Sequence, residues 1–224
     1  MIRFSDFVVP GLALVVVLVL MSLSGNGAAA EDGEPLSVRV VVPALAGDGA
    51  APQAALPPTH VDHGGVDALF LASGGVTTNP VVERRHVDYL SSGAVLQTPT
   101  HPSRIAWYDR YSQPGNAREN TIFSAHVDYV GYGLGPFHGV LESEHGSSLY
   151  LTMEDGSQFA YTVVSVKVID LDDLDMQEVI FPILDEHTER VTLITCGGTF
   201  VPNPSGIGGF YNSRVILIAE RWVP

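Results

Sequence analysis

From Val81 to the end, the chain is a succession of short runs rich in Val, Ile, Tyr and Phe, each cut off by turn residues. Segments of that length suit strands and leave little room for helices of three or four turns. Ser148 to Met153 and Gln158 to Ile169 flank Glu154-Asp155-Gly156-Ser157, a hairpin signal because Asp-Gly accepts the positive φ angles of a tight turn. Val191 to Thr195 and Tyr211 to Trp222 predict two more strands, with shorter ones at Arg104 to Trp107 and Thr121 to Ser124. Helix is expected only over Leu171 to Val179, stopped by Pro182. Seven or eight short strands in about 145 residues predict an all-β domain closed into a barrel, which also removes exposed sheet edges.

The preceding texture differs. Residues 31–79 are dominated by Ala, Gly, Pro and Val, with Pro57-Pro58, Gly64-Gly65 and Gly74-Gly75 pairs, and read as a linker. Such a segment buries too little side chain to offset its ordering entropy, although Leu36 to Val42 could add a strand and Val66 to Leu71 could dock locally. Residues 1–30 are an address. Arg3 precedes an almost wholly apolar stretch from Phe7 to Leu23, and Ala28-Ala29-Ala30 has the small side chains of a cleavage site. Seventeen residues is short for a span of about 20, so an anchor and a cleaved signal both stay open. Either way the domain at 80–224 is expected on the extracytoplasmic side of the cell membrane, or secreted if cut near Ala30.

Charge narrows the partners. The 224 residues carry 25 acids against 11 bases, and discarding the first 30 leaves 24 against 10, so the formal net charge of -14 belongs to the exported part. That field repels phosphates and anionic headgroups. Neither nucleic acid nor a lipid surface is an expected partner of the folded domain, and contact with a membrane is left to the N-terminal segment.

The chain has one cysteine, which excludes an intrachain disulfide. Cys196 ends the apolar run Val191-Thr-Leu-Ile-Thr-Cys196 and is followed by Gly197-Gly198. Alternation sets Thr192, Ile194 and Cys196 on one strand face, and two glycines let a ligand approach the sulfur without Cβ clashes. Of eight histidines, seven lie in polar or turn contexts; His126, in Asn120-Thr-Ile-Phe-Ser-Ala-His-Val-Asp128, follows a short apolar strand. An imidazole beside a thiol draws off its proton and later protonates a leaving amine. Arg214 opens a strand otherwise suited to a core; a guanidinium there holds a carbonyl oxygen as charge develops on it, whereas an ordinary strand-end charge would pair with Glu220. Arg221 lies too far along the same strand.

These residues resemble a known family, the sortases, cysteine transpeptidases of bacterial surfaces. Leu193-Ile-Thr-Cys196 is similar to the family's TLxTC signature, Ala125-His126-Val-Asp128 to its histidine motif, and Tyr211-Asn-Ser-Arg214-Val-Ile-Leu to its arginine strand, in family order over residues 80 to 224. Cys-Gly-Gly, with Ile105-Ala-Trp-Tyr108 and Pro114-Gly-Asn116, is similar to classes E and F. The resemblance implies an eight-stranded barrel with Cys196, His126 and Arg214 meeting at one rim. It implies attack of Cys196 on the Thr-Gly bond of an LPxTG-like sorting signal, His126 protonating the departing amine and Arg214 steadying the oxyanion. Thr195, Asp128 and Gly197 are the candidate substrate-binding residues. The thioacyl enzyme would pass its acyl group to an amine of a cell-wall precursor or a pilin lysine, with no metal and no organic cofactor.

Some members of the family bind calcium between the hairpin and the cysteine strand. Here Asp170, Asp172, Asp173, Asp175, Glu178, Asp185, Glu186 and Glu189 do not have EF-hand spacing and read as a solvated acidic surface. Trp107, Tyr108 and Phe137 read as core. Two other outcomes fit the same residues: a thiol peptidase that gives the acyl group to water, and a non-catalytic exported β-barrel binding module with Cys196 packed inside.

Overall fold

Short β-rich segments pair here into one main sheet whose two longest strands carry the sequence motifs. The structure, a computed structural model, describes residues 62–72, 80–90 and 93–224; residues 1–30 and the possible strand over Leu36 to Val42 lie outside them. In chain order the strands are β1 (Val66–Leu71), β2 (Val82–Arg84), β3 (Val87–Leu90), β4 (Gly93–Leu96), β5 (Ile105–Trp107), β6 (Asn120–Ser124), β7 (Asp128–Tyr129), β8 (Gly133–Leu134), β9 (Ser148–Met153), β10 (Gln158–Asp170), β11 (Thr188–Pro202) and β12 (Gly209–Trp222). Among the described residues one α-helix, α1 (Met176–Ile180), forms at the end of the expected stretch Leu171 to Val179 and runs one residue past it, and a 3-10 turn covers Val140–Glu142.

Eight strands form a sheet in the order β1-β9-β10-β12-β11-β6-β5-β2. Its end strands β1 and β2 approach each other without joining in a hydrogen-bonded ladder, so the barrel is nearly closed. Small hairpins β3-β4 and β7-β8 hang from it. The expected docking of Val66 to Leu71 takes the form of β1, antiparallel to β9, which carries the barrel upstream of residue 80. The β9-β10 hairpin turns over residues 154–157 as expected, with Gly156 at φ +85° and Asp155 accepting a hydrogen bond from the Ser157 amide.

Strand β11 is buried on both faces. One face puts Val191 and Leu193 into the barrel interior with Val215, Leu217, Leu149, Leu151 and Phe123. The other puts Ile194 into a second apolar cluster with Ile122 and Ile216, roofed by Met176 and Ile180 of α1. A five-residue helix has no stability of its own, so its caps and its roofing contacts hold it. Asp175 accepts from the Gln177 and Glu178 amides, and the buried Asn120 side chain donates to the Val179 and Ile180 carbonyls while accepting from Thr192 Oγ1.

One segment and one side chain differ from what composition suggests. The glycine- and proline-rich stretch from Gly197 to Phe210 is largely strand: β11 runs on to Pro202 and β12 begins at Gly209, so a bulged two-stranded arm projects past Cys196. The acids from Asp170 to Glu186 are exposed, as a solvated surface requires, although Asp170 accepts from Ser213 and Asp175 and Asp185 accept backbone amides. Glu189 departs from that reading: it is fully buried at the start of β11. Glu189 accepts from Tyr161 Oη at 2.6 Å and the Gly115 amide at 2.7 Å, and pairs with Arg221 Nε at 2.5 Å. Burial still pushes its carboxyl above the ordinary range, against these bonds.

Removing one partner of a buried ion pair strands the other charge, at a cost of about 3 kcal/mol or more. Arg221→Met is therefore expected to lower unfolding stability by about that amount, read as a reduced urea midpoint at unchanged slope; a change under about 0.5 kcal/mol would show that Glu189 is not held by this pair.

Candidate active site

The thiol sits where three strands run side by side. In the β11-β12 ladder Cys196 is directly opposite Arg214. On the other side β6 runs parallel to β11, and their last paired residues are Ser124 and Ile194. Two residues beyond that pair on each strand lie His126 and Cys196. The join continues past the ladder, because the Ala125 amide donates to the Ile194 carbonyl and Thr195 Oγ1 donates to the Ala125 carbonyl at 2.8 Å. Cys196 of β11 thus stands opposite Arg214 of β12, with His126 two residues past the end of β6 on the other side.

Alternation explains the exposure of Cys196. It shares a face with Ile194, and the roof formed by α1 gives out before the sulfur, leaving Cys196 half-buried. Immediately after it the β11-β12 register slips between Gly197 and Phe200. A Cβ at Gly197 would meet Val215 Cγ2 at 2.5 Å, and Gly198 takes φ +78°. The bulge beside the thiol therefore requires both glycines.

His126 is half-buried and held mainly through its backbone. Its carbonyl accepts from the Phe137 amide, the Val127 carbonyl accepts from the Gly135 amide, and Gly135 packs so tightly against residue 126 that no side chain fits there. The Tyr129 ring meets the imidazole edge-on at 5.2 Å. No hydrogen bond joins His126 to Cys196 among the described residues.

Arg214 is 5% exposed and forms no ion pair among the described residues. Glu220, its possible partner, is taken by Arg190 at 2.6 Å, and Arg221 by Glu189. Arg214 Nη1 donates to the Ser213 carbonyl at 2.7 Å and the Tyr211 carbonyl at 3.2 Å. These bonds orient the guanidinium without neutralising it.

Electrostatics follow from burial. Desolvation pushes the Cys196 thiol up; the Arg214 cation opposes that shift and Asp128 adds to it. Burial pushes His126 down, opposed by Asp128. Burial thus favours the neutral form of both groups, thiol and imidazole, and the Arg214 cation is the group beside Cys196 that favours a thiolate.

A cleft of about 160 Å³ opens beside the sulfur, lined by Thr195, Cys196 and Gly197 with Val127, Phe137, Leu141, Val215, His138 and Tyr211. That volume takes one apolar side chain rather than a whole ligand. Thr195 is buried and its hydroxyl is engaged by the Ala125 carbonyl; Asp128 is exposed and accepts from Tyr211 Oη at 2.6 Å. Trp107 and Tyr108 are core residues, whereas Phe137, though fully buried, also floors the cleft. His138 and Tyr211 are site residues that sequence reasoning passed over. A turn context hid the first, and only its place two residues before Ser213 and three before Arg214 could have marked the second. No group of three or more His, Cys, Asp or Glu side chains is set to hold a metal among the described residues, and none of their helices is long and apolar enough to cross a membrane.

Among solved structures the chain is similar to sortase C-1 from Actinomyces oris (18% identity, 54% of this chain and 58% of that chain covered, TM-score 0.40) and to a lid mutant of sortase A from Corynebacterium diphtheriae (17%, 69% and 70%, TM-score 0.43). Sortase C of Streptococcus pneumoniae gives 18%, 54% and 52%, with a TM-score of 0.39. The chain thus spans little more than half the length of the first and third of these. No curated protein matches. The sortase domain model matches residues 75–222, a span that holds the strand row of His126, Cys196 and Arg214 together with eleven of the twelve strands; the chain belongs to the sortase family.

Proposed function

We propose that the protein is a cell-surface cysteine transpeptidase that cleaves an LPxTG-like sorting signal and transfers the acyl part to an amine. The observation that carries the reading is the placement of a half-buried thiol between a histidine segment and an arginine that has no carboxylate partner. Cys196 passes its proton to His126 and attacks the carbonyl carbon of the Thr-Gly bond. Arg214 holds the oxygen as negative charge gathers on it, and the imidazolium gives its proton to the departing glycine amine. The thioacyl enzyme is then consumed by an amine of a cell-wall precursor or of a pilin lysine.

The small apolar cleft suits one aliphatic side chain of an extended peptide. Thr195 sets the backbone turn into His126, Gly197 offers backbone to the cleft, and Asp128 stands at the rim. In this reading residues 80–224 make up the catalytic domain with β1 as its upstream edge, residues 31–79 link it, and residues 1–30 export it or hold it at the membrane. The class E or F likeness of the Cys-Gly-Gly segment is part of the same reading.

Mass spectrometry of the enzyme incubated with sorting-signal peptides is expected to find a thioacyl adduct on Cys196 and none on Cys196→Ala. His126→Ala should lower kcat/KM about 100- to 10,000-fold and Arg214→Ala about 100- to 1,000-fold. A peptide cleaved as fast by Cys196→Ala as by the native chain would sink the reading. In the absence of peptide, alkylation of Cys196 by iodoacetamide is expected to speed up with rising pH and to reach half its maximum above the ordinary cysteine value of about 8.5. Because the guanidinium lowers the thiol pKa, Arg214→Met should move that midpoint higher still; a midpoint at or below the ordinary value would contradict the buried neutral thiol.

A further inference from the structure

Asp128 serves the first half-reaction poorly. Its charge helps His126 hold a proton but opposes ionisation of Cys196. Among the described residues no cation pairs with it, and the Tyr211 hydroxyl is the only side-chain group that hydrogen-bonds it. An exposed carboxylate left without a cationic partner keeps acceptor capacity for charge-assisted hydrogen bonds. Tyr211 makes it a two-point site. The phenol spends its proton on Asp128, so its oxygen lone pairs remain as acceptors, and its ring lines the cleft beside the sulfur. The Phe200 ring at 5.3 Å fixes it from the arm side.

We propose that Asp128 and Tyr211 form the subsite that receives the acceptor as a primary ammonium ion, an inference that rests on the acyl-transfer reading above. The three N–H donors of an ammonium match the carboxylate and the phenol oxygen, and the -14 net charge of the chain raises the local concentration of cations. In the transfer, the ammonium releases one proton to water by way of the carboxylate. The amine nitrogen then attacks the thioester carbon, so that a C–N bond forms as the C–S bond breaks. His126 takes the second nitrogen proton and returns it to the sulfur. The balance is thioester plus ammonium giving amide, thiol and one proton.

The test compares two acceptors on one acyl-enzyme: triglycine, whose amine is an ammonium ion at pH 7, and hydroxylamine, which is neutral there. Amide and hydroxamate products are counted for the native chain, Asp128→Asn and Asp128→Glu. Asp128→Asn is expected to lower the kcat/KM for triglycine about tenfold more than that for hydroxylamine, the loss of one charge-assisted hydrogen bond. Asp128→Glu, which keeps the charge, should retain most of the ratio. An equal fall for both acceptors, no fall for either, or a ratio lost as fully with Glu as with Asn would overturn the subsite while leaving acyl transfer intact. Absence of hydroxamate from the native chain would instead overturn the acyl-transfer reading.

Discussion

Strand β11 is bonded on both sides, parallel to β6 and antiparallel to β12, and everything at the site depends on those two registers. A shift of either ladder by one residue would turn the matching side chain to the opposite face of the sheet. The registers are held far from the thiol as well as near it. At the start of β11, Glu189 is tied to Tyr161 of β10, to Gly115 and to Arg221 of β12; further along, Thr192 binds Asn120 of β6, and Thr195 binds Ala125. Polar bonds at regular steps along one strand therefore fix its neighbours against sliding, while the apolar clusters on its two faces supply the burial.

The same packing sets the chemistry. A free thiol in water is mostly protonated at neutral pH, and here desolvation pushes both it and the imidazole further toward their neutral forms, while the one full charge built into the row belongs to a guanidinium with no carboxylate beside it. An uncompensated buried cation is costly to fold around. Arg190 and Arg221, on the neighbouring stretches, are both paired with carboxylates, so Arg214 differs from them in keeping its charge uncompensated.

Much of this was legible in the residues. Alternation and turn punctuation marked β9 and the β9-β10 turn to the residue, because strand ends coincide there with Met153 and Gln158 flanking a tight turn. Cys196, His126 and Arg214 stood out by following or opening apolar runs. The arm beyond Cys196 did not, since its glycines and prolines lack the β-branched side chains that betray a strand, and its pairing is held by backbone bonds. Nor did Glu189: an acid among other acids looks solvated until the fold brings an arginine from thirty-two residues downstream. His138 and Tyr211 were hidden for a related reason, as neither interrupts a pattern and only tertiary folding carries them to the sulfur.

The direction in which the chain enters the barrel has a consequence of its own. Gly65 and Glu154 exchange backbone and side-chain hydrogen bonds, and His63 bonds Asp155, so the incoming segment is clasped to the β9-β10 turn. From that turn β10 runs eleven residues, about 36 Å, before Ile169 comes level with Arg214 and hence with Cys196. The segment leading into β1 is therefore clasped at the end of β10 remote from Cys196, and a pull on it would bear on the β9-β10 turn before it reached the strands that carry the thiol.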